Sequence, residues 1–142
     1  MNRDVQIKKY TKKFEYSYTL GAFPTIELLK NQPGHVLKVL LHPDMNSPEQ
    51  LEIISSLCEK NRIPLEHAPR AVEKIRDKEN IFAVGVFEKY TNHLNTEENH
   101  IVLVNPSDMG NMGTIIRTGI GFGIRNLAIV EPAVDIFNPR VV

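Results

Sequence analysis

The chain has 142 residues, of which 42% are hydrophobic and 24% are charged, and its formal net charge at pH 7 is zero. These values are typical of a globular protein, and the length allows one domain or one and a half. No apolar run approaches the ~20 residues of a membrane span, and the polar N-terminus is unlike a signal peptide. The single cysteine, Cys58, excludes an internal disulfide, so we expect a cytoplasmic protein without a membrane partner.

Residues 1–14 form a basic N-terminal arm, which we expect to be flexible or to form a short helix. Its basic residues are Arg3, Lys8, Lys9, Lys12 and Lys13, and its only acidic residue is Asp4. An arm of this kind can attract RNA phosphates without sequence specificity. The alternative is a solvated terminus with no partner, since the chain as a whole carries no net charge.

Residues 15–90 alternate between strand and helix signals. Strands are predicted at 16–20, 36–41, 64–67 and 82–87. The predicted helices begin near Pro24, at Ser47 and near Arg70. At Ser47 the next residue is proline and Gln50 stands three positions on, which is the pattern of a capping box. The order predicts a small α/β/α domain.

Residues 91–99 read TNHLNTEEN and contain almost no apolar side chain, so we place a linker there. The five histidines of the chain show no spacing typical of metal ligands, and we expect no metal site. Two of them, His42 and His67, lie at the ends of predicted strands, where local hydrogen bonds are the expected role.

Residues 101–130 predict one right-handed, parallel βαβ unit. The run 101–104 is β-branched and leucine-rich, which is typical of a strand buried on both faces. The following helix has an apolar stripe of Ile115, Ile116 and Ile120. Glycines end that helix, and a second strand follows at 126–130.

Polar side chains fill the loop that follows the first of these strands. They are Asn105, Ser107, Asp108 and Asn111, and Arg117 lies on the helix behind them. Chemistry in α/β folds is found at this end of a strand, and such residues near a helix N-terminus suit a phosphate-bearing ligand. The alternative is that Asp108 only caps the helix and Asn105 only closes the turn. A nucleotide-binding α/β enzyme is disfavoured, because the glycines form neither a dinucleotide fingerprint nor a phosphate loop.

The run NPSDMGNMGTIIRTGIGFG at 105–123 resembles the first signature motif of the SpoU (TrmH-type) RNA ribose 2′-O-methyltransferases. These are knotted, S-adenosylmethionine-dependent enzymes of the SPOUT class. All fixed positions of the family pattern D-x-x-N-x-G-x-I-x-R-T-x-x-x-F-G are met. The run DIFNPRVV at 135–142 resembles the segment that follows in the family. The resemblance is strong over 101–142 and weak over 15–90.

The resemblance implies that the parent protein transfers a methyl group from S-adenosylmethionine to a ribose 2′-hydroxyl of rRNA or tRNA. It also implies a homodimer in the full-length protein and a ribosomal-protein-like, RNA-binding domain at 15–90. In the family, two further motifs form the trefoil knot and bind the methyl donor, and they would lie C-terminal to Val142. We therefore expect residues 100–142 to be the start of a truncated methyltransferase domain that lacks the knot, binds no donor and is inactive alone.

The resemblance assigns Arg117 to deprotonation of the 2′-hydroxyl and Asn111 to ordering of the catalytic site. Free arginine stays protonated, so its firmer role is to hold a substrate phosphate and to stabilise the developing alkoxide. The loop residues expected at the RNA are Asn105, Ser107 and Asp108. The competing hypothesis for the whole chain is a non-catalytic α/β RNA-binding module.

Overall fold

The computed structural model describes residues 5–142, which divide into two compact units, one ending at Lys89 and the other spanning Tyr90–Val142. The expectations for Arg3 and Asp4 lie outside the described residues. None of the helices in the described range is long and apolar enough to cross a bilayer.

The first unit alternates strands and helices in the predicted order. Its elements are β1 (Tyr16–Leu20), α1 (Ala22–Asn31), a short 3-10 helix (Pro33–His35), β2 (Val36–Leu41), α2 (Pro48–Asn61), β3 (Leu65–His67), α3 (Pro69–Ile75) and β4 (Ala83–Glu88). The four strands form one sheet in the order β1-β4-β2-β3. Strand β4 runs antiparallel to both β1 and β2, whereas β2 and β3 are parallel, so the sheet is mixed.

Apolar side chains cover both faces of this sheet. In β2, Val39 and Leu41 point to one face and Leu40 to the other, because successive strand residues alternate. The first face packs against Ile26, Leu29, Ile54 and Cys58 of α1 and α2. The second packs against Val72 and Ile75 of α3. The sheet therefore lies between helices, as the predicted α/β/α layering requires.

Helix α2 begins where the sequence places its cap. The Oγ atom of Ser47 accepts a hydrogen bond from the backbone N–H of Gln50 at 3.4 Å, and Pro48 occupies the first helical position. The helix ends at Asn61, and Arg62 follows in the left-handed conformation with φ 55°. The predicted capping residue and helix length are thereby confirmed.

The described part of the basic segment, residues 5–14, forms no helix and packs against the sheet. The expectation of a flexible arm or a short helix is therefore wrong for these residues. Ile7 and Tyr10 pack against the buried cluster around Tyr18, and the Tyr18 hydroxyl bonds the main chain of Lys8. The physical reason is a set of contacts between residues ten positions apart, which charge and local propensity do not reveal.

The second unit contains β5 (His100–Val104), α4 (Met109–Gly121) and β6 (Asn126–Val130). Strands β5 and β6 are parallel neighbours, so the predicted order of elements and the parallel pairing of the βαβ unit are confirmed. Helix α4 ends in a Schellman motif: Gly123 N–H donates to Ile120 O and Ile124 N–H to Gly119 O, both at 2.9 Å. Gly123 has φ 77°, a value that favours glycine.

Strand β5 is not buried on both faces, which corrects the sequence prediction. Helix α4 packs on one face, where a side chain at Gly119 would lie 2.9 Å from Ile101 Cδ1. The other face exposes Val102 at 59% and Val104 at 72%. Ile120 is also 63% exposed, so the predicted apolar stripe is wrong at that residue. A two-stranded sheet with one helix has only one face to bury.

Residues 91–99, predicted as a linker, lie within the second unit. The backbone N–H of Asn95 donates to Asn126 Oδ1 at 3.0 Å, and the Asn126 side-chain amide donates to Glu98 Oε2 at 2.8 Å. These bonds attach the segment to the start of β6.

Candidate functional site

The loop after β5 begins with a residue in the left-handed conformation. Asn105 has φ 52°, and its backbone N–H donates to the carbonyl of Val130, the last residue of β6, at 3.0 Å. Asparagine tolerates this conformation better than most residues do. Asn105 therefore closes the turn at the carboxyl end of both parallel strands, as the alternative interpretation of this residue predicts.

Asp108 caps helix α4. Its Oδ1 atom accepts a hydrogen bond from the backbone N–H of Asn111 at 2.7 Å, and its carbonyl accepts one from Met112 N–H at 3.0 Å. The positive end of the helix dipole favours the carboxylate at this position. The carboxylate therefore already takes the position at the helix N-terminus where an anion would bind.

The predicted loop residues share one open depression with a volume of about 310 Å³. It is lined by Leu103, Val104, Asn105, Pro106, Ser107, Asp108, Asn111, Met112 and Ile115. The structure therefore brings together the four polar residues that the sequence places here. All four are exposed, so their side chains can reach a ligand.

Arg117 is exposed on α4, and its guanidinium lies alongside Gly113, one turn nearer the helix N-terminus. A Cβ atom at position 113 would lie 3.2 Å from Arg117 Nη1 and 3.4 Å from Nη2. Side chains on a helix point toward its N-terminus, so the arginine extends in the direction of the loop. No described residue forms an ion pair or hydrogen bond with the guanidinium, which leaves its donors for a ligand.

Gly113 is a fixed position of the family pattern to which the sequence analysis assigns no role of its own. Because Gly113 has no side chain, the guanidinium of Arg117, four positions later, can lie against the helix at this point. The spacing of four residues on one helix face is the signal that could have identified it.

The four lysines assigned to RNA binding, Lys8, Lys9, Lys12 and Lys13, lie in the first unit and are all exposed. The loop residues and Arg117 lie in the second unit. The roles proposed for these residues in RNA binding and catalysis stay predictions.

His42 forms one local hydrogen bond, as predicted, and a second one with a residue 31 positions away. Its Nδ1 atom accepts from the backbone N–H of Asp44 at 3.1 Å, so Nε2 carries the proton and donates to Glu73 Oε1 at 3.0 Å. This bond lowers the pKa of the Glu73 carboxyl below its ordinary value. Among residues 5–142, no three acidic, histidine or cysteine side chains are grouped to hold a metal ion.

No protein-family model and no curated protein matches the chain. Solved structures do match its fold. An rRNA methyltransferase from Sinorhizobium meliloti is 23% identical in sequence, with a TM-score of 0.67. The match covers 89% of this chain and 49% of the methyltransferase chain. The SpoU methyltransferase AviRb from Streptomyces viridochromogenes, in complex with AdoMet, is 18% identical with a TM-score of 0.70 and the same coverage. An RNA 2′-O ribose methyltransferase is 19% identical with a TM-score of 0.63, again covering 89% and 49%.

These comparisons confirm that the resemblance noted in the sequence extends to the fold. The chain spans about half the length of the structures that it matches. The bound AdoMet belongs to the AviRb structure.

Proposed function

We propose that the chain is the N-terminal part of an S-adenosylmethionine-dependent RNA methyltransferase of the SpoU type. The reaction transfers a methyl group to a ribose 2′-hydroxyl of rRNA or tRNA. One observation carries the proposal: the complete first SpoU motif forms the loop and helix at the carboxyl end of a parallel strand, in a chain whose fold matches solved SpoU methyltransferases. Parallel strands present catalytic residues at this end.

Arg117 acts on the RNA backbone in this proposal. Its unpaired guanidinium can hold a phosphate through two parallel hydrogen bonds and can stabilise negative charge on the attacking ribose oxygen. Asn111 orders the catalytic site from the first turn of α4. Asn105 and Ser107 supply neutral hydrogen-bond donors, and Asp108 positions the helix through its cap.

S-adenosylmethionine supplies the methyl group when it is bound. The residues described here do not fit it by themselves, because the depression beside the loop is open and Val104 on its wall is 72% exposed. We place the donor pocket in later motifs of the parent protein, C-terminal to Val142, together with the knot. The 142-residue chain alone is then inactive.

The remaining parts of the proposal concern the parent protein. Residues 15–90 serve as the ribosomal-protein-like substrate domain, residues 91–99 connect it to the methyltransferase domain, and the full-length protein is a cytoplasmic homodimer. The mixed sheet, covered by helices on both faces, gives residues 15–90 a core of their own, which supports an independent domain.

The test uses the protein encoded by the complete reading frame that contains this sequence. It is incubated with methyl-labelled S-adenosylmethionine and total RNA from a strain lacking the gene, and the RNA is digested for mass spectrometry. We expect label in a 2′-O-methylnucleoside. Arg117→Ala should lower the rate by about 10²–10³-fold. Arg125→Ala is the matched control, because Arg125 is also exposed in the same unit but lies after the end of α4 and outside the motif run 105–123.

The other outcomes separate the hypotheses. Label on a base would contradict ribose methylation. RNA binding by the full-length protein without any methyl transfer would favour the non-catalytic RNA-binding module. Equal loss of activity in the Arg117 and Arg125 variants would contradict the role assigned to Arg117.

A further inference from the structure

The N-terminal segment is attached to the first unit through its main chain. The Tyr18 hydroxyl donates to the carbonyl of Lys8 at 2.7 Å and accepts from the backbone N–H of the same residue at 3.2 Å. The Tyr16 hydroxyl donates to the carbonyl of Gln6. The Lys89 ammonium donates to the carbonyl of Lys12 at 2.9 Å. Side chains of β1 and of the residue after β4 thus hold this segment at three points.

A row of aromatic rings reinforces these bonds. Phe14 stacks on Tyr16 with centroids 4.7 Å apart, and Tyr10 meets Phe14 edge-on at 6.2 Å. Tyr16 meets Tyr18 edge-on at 5.8 Å. The Lys89 ammonium lies 5.1 Å from the centre of the Tyr10 ring, a cation–π distance. Burial raises the pKa of the Tyr18 hydroxyl, so this group stays a hydrogen-bond donor throughout the physiological range.

The charged side chains of the segment are directed to solvent while its main chain is anchored. Four lysines stand at positions 8, 9, 12 and 13, and between residues 5 and 15 the only acidic residue is Glu15. Within the described range, no carboxylate forms an ion pair with any of the four. Their main chain covers at most about 20 Å when extended. Nucleic acids carry a phosphate about every 3.4 Å along each strand, so one strand can meet several of these lysines.

We propose that residues 7–14 form a preorganised strip that binds the phosphate backbone of RNA through Lys8, Lys9, Lys12 and Lys13, with Tyr18 as its positioning residue. The proposal rests on the RNA-directed function proposed above and specifies how the first unit contributes to it. A flexible arm would lose conformational freedom on binding, and that cost lowers affinity. A strip that is already fixed avoids much of this cost.

The first experiment measures binding of the 142-residue chain to a fluorescein-labelled, single-stranded RNA 20-mer by anisotropy over a series of salt concentrations. The strip variant carries K8Q, K9Q, K12Q and K13Q. The matched control carries K30Q, K60Q, K74Q and K78Q, which remove the same charge from exposed sites elsewhere in the unit. We expect the strip variant to reduce the slope of log affinity against log salt by about two to three, since each phosphate contact contributes about 0.7. The control should reduce it by less than one.

The second experiment separates preorganisation from charge. Tyr18→Phe keeps the ring and all the lysines but removes the hydroxyl that holds Lys8. We expect about a three- to tenfold loss of affinity with the salt slope of the wild type, the scale of one hydrogen bond. Tyr16→Phe serves as the second variant if Tyr18→Phe fails to fold, because Tyr16 is only partly buried.

Each result decides between the hypotheses. Equal slopes of log affinity against log salt for the strip variant and its control would contradict phosphate binding by the strip but not the RNA-directed function. Wild-type affinity in a folded tyrosine variant would overturn preorganisation. Absence of any RNA binding by the wild-type chain at low salt would contradict both the strip and the RNA-directed function. A larger affinity of the chain for poly-glutamate than for RNA would contradict the proposal that the strip binds RNA phosphates, because it would show only a general attraction to polyanions.

Discussion

The centre of β4 carries a glycine, Gly85, whose missing side chain leaves room for two buried threonines. The backbone N–H of Gly85 donates to Thr19 Oγ1 at 2.9 Å, and the Thr19 and Thr25 hydroxyls lie 2.8 Å apart. A Cβ atom at position 85 would lie 2.6 Å from Thr19 Oγ1 and 2.9 Å from Leu28 Cδ2. Gly85→Ala must therefore displace the Thr19 side chain and break its hydrogen bonds.

The expected cost of Gly85→Ala follows from these contacts. Overpacking a filled core costs about 1–3 kcal/mol, and a buried polar group left without its partner costs a similar amount. The lower chain entropy of alanine in the unfolded state returns somewhat less than 1 kcal/mol. We expect a net loss of about 3 kcal/mol in the free energy of unfolding. With a urea dependence of about 1.5 kcal/mol per molar, the unfolding midpoint falls by about 2 M.

Urea unfolding followed by tyrosine fluorescence tests this, because three of the four tyrosines (Tyr10, Tyr16 and Tyr18) lie in the first unit and the chain contains no tryptophan. Gly34→Ala is the control, since a Cβ atom there has no neighbour within 4 Å. In a Thr19→Ala background, the cost of Gly85→Ala should fall by at least about 1 kcal/mol, because the closest clash is gone. A cost below about 0.5 kcal/mol, or the same cost in both backgrounds, would refute the packing argument.

Two further stability predictions concern the same unit. Ser47→Ala should cost about 1 kcal/mol by removing the cap on Gln50 N–H, while Ser56→Ala on the exposed side of α2 should be near neutral in the same urea titration. Glu73→Gln should destabilise the protein at neutral pH. The His42 hydrogen bond lowers the pKa of the Glu73 carboxyl from 4.5, so its stabilisation is present above that value and is lost as the pH falls through the lower folded-state value. In unfolding measured at a series of pH values, the difference between wild type and variant should therefore be largest at neutral pH and shrink as the pH falls below 4.5.

Local signals account for the elements that the sequence predicts well. Strands at 16–20 and 36–41 and the cap at Ser47 depend on alternation and on hydrogen bonds between near neighbours. The sheet order could not be predicted in this way, because β1 pairs with β4 more than 60 residues later in the chain, as Thr19 opposite Gly85 illustrates. Pairing over such distances is decided by packing on both faces of the sheet.

In the candidate site, too, the features that depend on neighbouring residues could be predicted from the sequence, and those that depend on distant contacts could not. The sequence identified the polar loop but left the roles of Asn105 and Asp108 open, and the structure shows that they close the turn and cap the helix. The β-branched composition of β5 indicated burial on both faces. Composition alone cannot say how many layers surround a strand, and the exposed Val102 and Val104 show that one face of β5 is bare within the second unit.

Gly113 connects the local sequence to the proposed chemistry. Its Cα hydrogen faces the guanidinium of Arg117, so Gly113→Ala would put a methyl group 3.2 Å from Nη1 and force the arginine to shift by a few tenths of an ångström. Such a shift leaves the arginine charge in place but disturbs its alignment with a substrate. A misplacement of about 1 Å can cost about 10²-fold in rate, so this smaller shift should cost less than that. In the full-length protein we therefore expect Gly113→Ala to lower the rate of RNA methylation with little change in RNA affinity. Gly121→Ala is the control on the same helix, because nothing lies within 4 Å of its Cβ position. Equal rates for the Gly113 and Gly121 variants would show that the position of the guanidinium along the helix does not govern the reaction.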